Sequence, residues 1–267
     1  MKKRYLPLVL ALCLGLLGGC GEQEDVENLP PSEPILYNGV IQPVEETLEP
    51  APATTRVRII DGAETGTLIL SGDGGGAAMV YTLTVGDLPI LGGEELKDGM
   101  MVEVGSGCVI LETYPAQWAQ PMSITVLDEP VSDLSGLYLQ VLEDLWTVDP
   151  GLNDDIKQLG VDFSELEGLT DSEKAGLAYA FGMLHNMMPI MGTWKELKEQ
   201  GYFTGVDPEA DGLPAWKDGC LFSIQGNTEE FTAQKWRTAL GAYLFCQCSA
   251  RQTDEGWTYE IGSEMIS

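Results

Sequence analysis

The only histidine of the chain is a natural starting point for acid–base chemistry. His185 lies four residues after Phe181 and three residues before Met188. This spacing places it on or beside the apolar stripe of a helix, where a histidine is usually packed and hydrogen-bonded. The sequence therefore predicts a packed helix histidine, and a serine-type catalytic triad would lack a well-placed base.

Two glutamates form a candidate pair of catalytic carboxylates. Glu103 and Glu112 fall on neighbouring predicted strands, and a glycosidase needs two carboxyl groups about 5 to 10 Å apart. Glu112 is the candidate acid or base of such a pair. Carboxylates on strands more often form the solvated face of a sheet, so the main expectation is that the protein has no catalytic residue.

An acidic turn in the last third of the chain has the outline of a calcium-binding loop. Acidic residues fill positions 1, 3, 5 and 12 of the EF-hand pattern, and a glycine fills position 6. The stretch departs from the motif in Pro214 at position 8 and in the short aspartate at position 12. An acidic surface turn without metal is the competing interpretation. The candidate ligands are Asp207, Glu209, Asp211 and Asp218.

The charge of the chain restricts the partners that it can bind. The formal net charge is −28 at pH 7, and hydrophobic residues make up 44% of the sequence. Such a negative field opposes binding to nucleic acid and to anionic headgroups, whereas the hydrophobic fraction indicates a globular protein. We therefore expect no nucleic-acid partner, and no motif in the sequence indicates a cofactor.

The first twenty residues predict export and a lipid anchor. Basic residues at 2–4 precede an apolar segment at 5–17, which is too short to span a bilayer but has the size of a secretory signal. Leu-Gly-Gly-Cys at 17–20 resembles a bacterial lipobox, in which a signal peptidase cleaves before a lipidated cysteine. The resemblance implies a diacylglyceryl group on Cys20, and two acyl chains give stable anchoring. The predicted location is the extracytoplasmic face of the cell membrane.

Composition divides the chain into four segments. Residues 1–19 are the predicted signal peptide, and residues 20–33 are a predicted disordered acidic tether. Residues 34–129 carry short strand patterns, and at residue 130 the period changes to that of helices, so 130–267 is predicted to be a second domain. The predicted strands of the first domain are 35–42, 56–60, 66–71, 80–85, 100–104, 108–113 and 123–127.

The end of the first domain supports a family resemblance. The runs Gly-Met-Met-Val-Glu-Val-Gly at 99–105, Val-Ile-Leu-Glu-Thr-Tyr-Pro-Ala-Gln at 109–117 and Ile-Thr-Val at 124–126 resemble bacterial surface lipoproteins of YobA type, a family without an assigned function. The resemblance covers about a third of the chain. It implies an OB-like Greek-key barrel of five strands, a fold whose open face often binds oligonucleotides or oligosaccharides. The acidic charge leaves sugars, peptides or no ligand.

The second domain is predicted to be α+β, with helices packed on a curved antiparallel sheet. Helices are predicted at 134–145, 170–186 and 193–201, and the last two begin with capping boxes. Strands are predicted at 221–224, 235–250 and 257–261, with a turn at 253–256. This order is similar to cystatin-like and nuclear-transport-factor-like domains, a similarity of fold alone.

The predicted processing removes Cys13 and lipidates Cys20, which leaves four cysteines with free thiol groups available. Cys108 stands alone, and three others fall near the C-terminus. An exported chain can oxidise its thiols, so Cys220 is a disulfide candidate with Cys246 or Cys248, although spacing alone does not fix the pairing. Cys246 and Cys248 are two residues apart on a predicted strand and would share one face. A buried thiol pair is the main interpretation of their spacing, and a soft-metal site is the alternative.

Four aromatic residues are candidates for ligand binding. Tyr114 and Trp118 end the predicted barrel, where aromatic side chains of this fold stack on ligands, and Tyr243 and Trp257 belong to the last predicted sheet. Packing in the two cores is the competing interpretation.

The sequence as a whole predicts a non-catalytic, lipid-anchored binding or interaction module of the cell envelope. Its partners would be the membrane, through the lipid on Cys20, and an envelope protein, peptide or glycan. One alternative is a surface hydrolase of cell-wall sugar or peptide that uses Glu112. The other is a structural or assembly subunit without a small ligand.

The lipid anchor predicts a specific processing step. Inhibition of lipoprotein signal peptidase is expected to leave residues 1–19 on the chain, and Cys20→Ser is expected to move the protein out of the membrane fraction, since both acyl chains are lost. Intact mass and membrane fractionation measure these effects. Cys13→Ser, inside the signal segment, is the matched control. An unchanged mass under the inhibitor would exclude the anchor.

Overall fold

The computed structural model describes residues 53–74, 77–93, 95–107, 109–205, 213–254 and 256–267. Several predicted features lie outside these described residues, and for them the sequence interpretation stays a prediction. They are the signal peptide at 1–19, the tether at 20–33 with Cys20, the strand at 35–42, Cys108, and three of the candidate calcium ligands, Asp207, Glu209 and Asp211.

The first half of the described chain consists of short strands. Six of the seven predicted strands lie in this region, and the structure contains each of them at least in part. The segment predicted at 108–113 forms only a two-residue strand. The strands are β1 (Ala53–Asp61), β2 (Thr67–Gly74), β3 (Ala77–Thr84), β4 (Ile90–Leu91), β5 (Met101–Ser106), β6 (Ile110–Leu111), β7 (Gln117–Trp118) and β8 (Pro121–Val126).

Six of these strands form a sheet in the order β3-β2-β1-β5-β8-β4, which we call the first sheet. Its pairs are antiparallel except for β4 and β8, which run parallel. Strands β6 and β7 form a separate hairpin. Over the described residues the first sheet stays open, so the expected closed barrel is not formed there.

The first sheet buries one face and part of the other. On β1, Val57 and Ile59 point into one core together with Leu68 and Leu70 of β2, because alternate residues of a strand face opposite sides. Ile60 points to the other face and packs against a helix. Apolar side chains are therefore buried on both faces only where that helix covers the sheet, whereas Arg56, Arg58 and Glu103 leave the rest of the second face partly exposed.

Helices begin where the sequence supplies capping residues. Thr170 and Thr193 each accept a hydrogen bond from the backbone N–H three residues later, and Glu173 and Glu196 reach back to the cap N–H, so both predicted capping boxes are confirmed. The helices are α1 (Leu134–Thr147), α2 (Asp171–Leu184) and α3 (Trp194–Glu199), with a single 3₁₀ turn at Pro150–Leu152 after α1.

The second half of the chain forms a mixed sheet, which we call the second sheet. Its strands are β9 (Gln158–Asp162), β10 (Pro189–Met191), β11 (Gly219–Gly226), β12 (Phe231–Thr238), β13 (Gly241–Thr253), β14 (Gly256–Glu260) and β15 (Ser263–Ile266). They are ordered β10-β9-β11-β12-β13-β14, and β15 also pairs with β13.

The second sheet corrects the prediction of a purely antiparallel one. Strand β9 runs parallel to both β10 and β11, and only the strands from β11 onward are antiparallel. Sequence reasoning missed β9 because it is a short strand with a buried, mostly apolar centre, and missed β10 because its three residues are too few to show an alternation. The single strand predicted at 235–250 is two strands, β12 and β13, joined by a turn at Leu240.

Helix α2 lies between the two sheets. One side of the helix packs on the first sheet, and the opposite side joins α1 in the core of the second sheet. The described chain accordingly belongs to one compact unit that starts at residue 50. The predicted boundary at 129–130 coincides with the approach to α1, and a division into two independent domains stays a prediction. The side of α2 on the first sheet comprises Ala175, Tyr179 and Ala180, which pack against Ile60, Ile69 and Val80. The side in the core of the second sheet comprises Leu177, Ala178 and Phe181.

Three aspartates meet where the first sheet approaches α1. Asp133 caps α1 by accepting a hydrogen bond from the Gly136 N–H at 2.9 Å, and Asp98 accepts one from the Ala63 N–H at 3.0 Å. Burial raises the pKa of Asp133 to about 6, and the charges of Asp98 and Asp61 add to this rise against the opposing hydrogen bond. Burial also raises the pKa values of Asp61 and Asp98.

The raised pKa of Asp133 predicts a pH-dependent stability. The native state holds this proton more tightly than the unfolded state, so stability is lost as pH rises from about 4 to about 6. Asp133→Asn keeps an acceptor for Gly136 and removes the charge. It is expected to flatten the dependence and to stabilise the protein at pH 7 by about 1 to 2 kcal/mol, after allowance for the exposed part of the side chain.

Urea denaturation between pH 4 and 8 measures this effect. Asp87→Asn, at an exposed aspartate of the turn after β3, is the matched control. An Asp133→Asn variant with the same slope as the unmodified protein would contradict the assignment.

Candidate functional site

The second sheet has one face covered by α1 and α2 and another face that is partly open. On β11, Phe222 is fully buried in the core under the helices. Its neighbours Leu221 and Ser223 point to the opposite face, because side chains alternate along a strand. Helix α3 and the segment after it cover only part of that face, which leaves a groove beside them.

This groove, which we call the sheet groove, has a volume of about 410 Å³. It lies toward the carboxyl ends of β9 and β11. In open sheets with parallel strands, that position is where ligands commonly bind. The side chains that define it are Asp162, Trp194, Ser223, Gln225, Gln234 and Trp236.

Strand register brings the polar groups of the sheet groove into one row. Ser223 of β11 lies opposite Asp162 of β9 and opposite Gln234 of β12. Neighbouring strands are about 5 Å apart, so a carboxylate, a hydroxyl and an amide succeed one another across the sheet. Gln225, two residues along β11, extends the row and is exposed.

Two tryptophans form the aromatic side of the sheet groove. Trp236 of β12 lies opposite Leu221, and Trp194 is the first residue of α3, so its position depends on the Thr193 capping box. The two indole rings meet edge to face, with centroids 6.3 Å apart. Trp194 is 38% exposed, and the Lys198 ammonium lies 5.8 Å from its ring centroid. A ligand therefore has accessible ring surface beside the polar row.

A buried tryptophan packs on the second sheet next to Leu221, which lines the sheet groove. Trp216 is 1% exposed, and its Nε1 donates a hydrogen bond of 2.7 Å to the Gln158 Oε1. Its ring lies directly over Gly160 and Gly219, where a Cβ would come within 2.4 and 2.3 Å of ring atoms. Phe203 packs on the same ring. This part of the second sheet is close-packed, so its strands have little freedom to move.

The carboxylates of the sheet groove serve as hydrogen-bond acceptors. The Asp162 Oδ1 accepts hydrogen bonds from the Ser164 N–H at 3.0 Å and from the Ser164 hydroxyl at 2.7 Å, which fixes the orientation of that carboxylate. Glu165 lines the mouth and is exposed. The arrangement offers acceptors, amide groups and aromatic faces, which suit the binding of a polar, uncharged ligand.

The structure does not bring the four predicted aromatic residues into one site. Trp118 is 5% exposed and stacks on Tyr81 at a centroid distance of 4.6 Å, so its ring belongs to the core of the first sheet. Tyr243 is 9% exposed and donates its hydroxyl hydrogen to the Glu264 carboxylate, and Trp257 is half-buried against the core of the second sheet. Tyr114 alone is well exposed, at 55%.

The two glutamates of the candidate carboxylate pair are not on paired strands. Glu112 is exposed at the end of the β6 strand, and β6 pairs with β7, whereas Glu103 lies on β5. The two residues are therefore not on neighbouring strands, and that expectation is wrong.

The histidine has the packed position that the sequence predicts. His185 caps the end of α2, its Nε2 lies 2.7 Å from the Glu143 Oε1, and its ring stacks on Trp146 at 3.5 Å. Trp146 in turn stacks on Phe222. His185 thus lies on the helix-covered side of the second sheet, and the sheet groove is on the opposite side.

The three C-terminal cysteines carry free thiols, so the structure contains no disulfide among them. Burial raises the pKa of Cys220 to about 12 and that of Cys248 to about 11, which keeps both thiols protonated. Gln247 between Cys246 and Cys248 has a φ of 53°, so the regular alternation that would place both cysteines on one face is interrupted.

The candidate calcium loop is represented in the structure by Asp218 alone, which is exposed. Its backbone carbonyl accepts hydrogen bonds from the N–H groups of Lys157 and Gln158. Within the described ranges, no group of three His, Cys, Asp or Glu side chains is arranged to hold a metal ion.

Sequence reasoning missed the residues of the sheet groove, although their pattern is present. On β12, Thr232, Gln234 and Trp236 alternate with residues that face the core. The third core-facing residue is Lys235, and a lysine at that position hides the alternation. The predicted strand therefore began at Lys235 and omitted the four residues before it.

Comparison of the chain with protein-family models, with curated proteins and with solved structures finds no significant match. Among the described residues, no helix is long and apolar enough to cross a membrane. Function must therefore be argued from the geometry of the chain itself.

The close approach of Trp216 to the sheet predicts a sensitive position in strand β9. Gly160→Ala would place a methyl group 2.4 Å from the Trp216 ring, and displacement of that ring is expected to cost about 1 to 3 kcal/mol of the free energy of unfolding. Chemical denaturation measures the loss. Gly192→Ala, whose methyl would meet only ordinary contacts from 3.5 Å, is the matched control; equal stability of the two variants would contradict the packing described.

Proposed function

We propose that this protein is a lipid-anchored envelope protein that binds glycans, without catalysis, in the sheet groove. The observation that carries the glycan assignment is the polar row Asp162, Ser223 and Gln234 beside the exposed ring of Trp194. The lipobox resemblance at 17–20 supports the anchor on Cys20 and the extracytoplasmic location.

The chemistry of the sheet groove favours a sugar over other ligands. Sugar rings present C–H faces that pack on indole rings and hydroxyl edges that need both donors and acceptors, which amide side chains such as Gln225 and Gln234 supply. The net charge of −28 disfavours anionic ligands. The open shape of the groove suits one or a few rings of a longer chain.

A binding role fits better than the hydrolase alternative. A serine nucleophile would need a base within hydrogen-bond reach, and His185 belongs to the other side of the second sheet. A glycosidase would need a second carboxylate near Glu112, and Glu103 lies on a strand that does not adjoin it. The assembly-subunit alternative has no observation in its favour beyond the anchor.

The family proposal concerns the first sheet. The parallel bridge between Tyr81 and Ala116, next to the order β3-β2-β1-β5-β8, supports a relation to OB-like Greek-key barrels and to surface lipoproteins of YobA type. The ligand site proposed here lies on the second sheet, so it does not depend on that relation. The cystatin-like and nuclear-transport-factor-like analogies gain no support from a sheet with parallel strands.

Binding is tested with the full chain and soluble oligosaccharides. N-acetylglucosamine oligomers, which are uncharged, are titrated while tryptophan fluorescence and calorimetric heat are recorded. Affinity in the micromolar to millimolar range is expected, and Trp194→Ala is expected to weaken it by about tenfold or more, because stacked aromatic anchors carry much of a binding energy.

The matched control is Tyr114→Ala, which removes an exposed aromatic side chain from the loop of the β6–β7 hairpin. It is expected to leave the affinity unchanged. If Tyr114→Ala lost binding and Trp194→Ala retained it, the site would lie at that hairpin. Binding of short neutral peptides in place of every glycan tested would overturn the ligand class.

A further inference from the structure

One end of the first sheet lacks charge to an extent unusual for this chain. Charged residues make up 21% of the sequence, but Glu112 is the only one between Gly105 and Leu127. This stretch contains the end of β5, the β6–β7 hairpin and β8. A strongly acidic protein thus has one neutral segment that is continuous in sequence and in the fold.

The same segment exposes large aliphatic side chains. Four of them, which we call the apolar tip, are well exposed. The four belong to the β6–β7 hairpin and the strand that follows it, and exposed apolar side chains that are grouped in this way commonly contact a partner or a membrane. The members of the apolar tip are Val109, 55% exposed, Ile110, 38%, Leu111, 44%, and Met122, 50%.

Backbone pairing places the apolar tip beside the point where the chain enters the described structure. Ala53 of β1 lies opposite Ser106 of β5, and Ser106 lies opposite Pro121 of β8. The hydrogen bond from the Gly107 N–H to the Gln120 carbonyl continues this ladder outward to the β6–β7 hairpin. Val109, Ile110 and Leu111 therefore lie just beyond the edge at which Ala53 begins.

The distance along the chain lets this edge reach a membrane. Ala53 follows the proposed lipidation site, Cys20, by 33 positions, and such a segment spans at most about 110 Å. An anchor with that reach keeps the protein near the bilayer at high local concentration, and it leaves the orientation of the protein to be set by other contacts.

We infer that the apolar tip rests in the headgroup region of the bilayer that carries the anchor; this inference rests on the proposed lipid anchor. Transfer of aliphatic side chains from water to that region lowers the free energy. The net charge of −28 opposes close approach of the rest of the surface to anionic lipid, and the neutral tip minimises this repulsion. The same charge opposes a second copy of the chain as the occupant, because two such copies repel each other.

Depth-dependent fluorescence quenching tests this contact. The full chain, with the N-terminus that the cell produces, is purified from membranes and reconstituted into phosphatidylcholine vesicles with or without brominated acyl chains. Ile110→Trp places a reporter in the apolar tip. Leu240→Trp, at a turn of the second sheet that is 75% exposed, is the matched control.

The added emission of Ile110→Trp is expected to be quenched by brominated lipid at least about twofold more than that of Leu240→Trp, since only the former reaches the acyl boundary. Val109→Trp is a second reporter with the same expectation, in case the first variant does not fold. Equal quenching of tip and control reporters in vesicle-bound protein would overturn the inference and leave the anchor intact.

Two other results are also decisive. If the emission of the tip reporter is blue-shifted, is not quenched by brominated lipid and moves to longer wavelength on dilution, a second copy of the chain covers the apolar tip. That result would overturn the lipid contact. Protein that does not float with the vesicles at all would overturn the anchor itself, and with it the contact that depends on the anchor.

Discussion

The burial of helix α2 on two opposite sides is the constraint on which the rest of the structure depends. Gly176 lets the helix approach the first sheet so closely that a Cβ there would come within 2.9 Å of the Ile60 Cγ1. Leu177 and Phe181, on the opposite side, are fully buried in the core of the second sheet. A helix that is apolar all round is stable only when it is enclosed, so each sheet completes the burial that the other begins.

A buried lysine provides a second constraint, which fixes the second sheet to α1. Lys235 is 0% exposed and donates to the backbone carbonyls of Trp146 and Val148 and to the Asn153 Oδ1. A cation at the C-terminal end of a helix satisfies carbonyls that have no partner within the helix. Burial lowers the pKa of Lys235, and the three acceptors offset that cost. Trp236, the next residue, then faces the sheet groove.

The two proposed contacts use different sheets and different chemistry. The sheet groove combines hydrogen-bonding side chains with indole rings, and the apolar tip has aliphatic side chains and almost no charge. A protein held to a membrane by one end of its first sheet would keep the groove of its second sheet free for a ligand. Because α2 joins both sheets in one compact unit, the orientation of one sheet at the membrane also fixes that of the other.

The sequence by itself determined the local elements: the caps at Thr170 and Thr193, the helices that they begin, and most strands of the first half, because capping and hydrophobic periodicity act over a few residues. It also determined the net charge of the chain and indicated that His185 is packed. Only the tertiary structure decided that β9 runs parallel between β10 and β11, that Trp118 is buried, and that Trp194 meets Trp236. Those outcomes depend on contacts between distant segments, which no local pattern specifies.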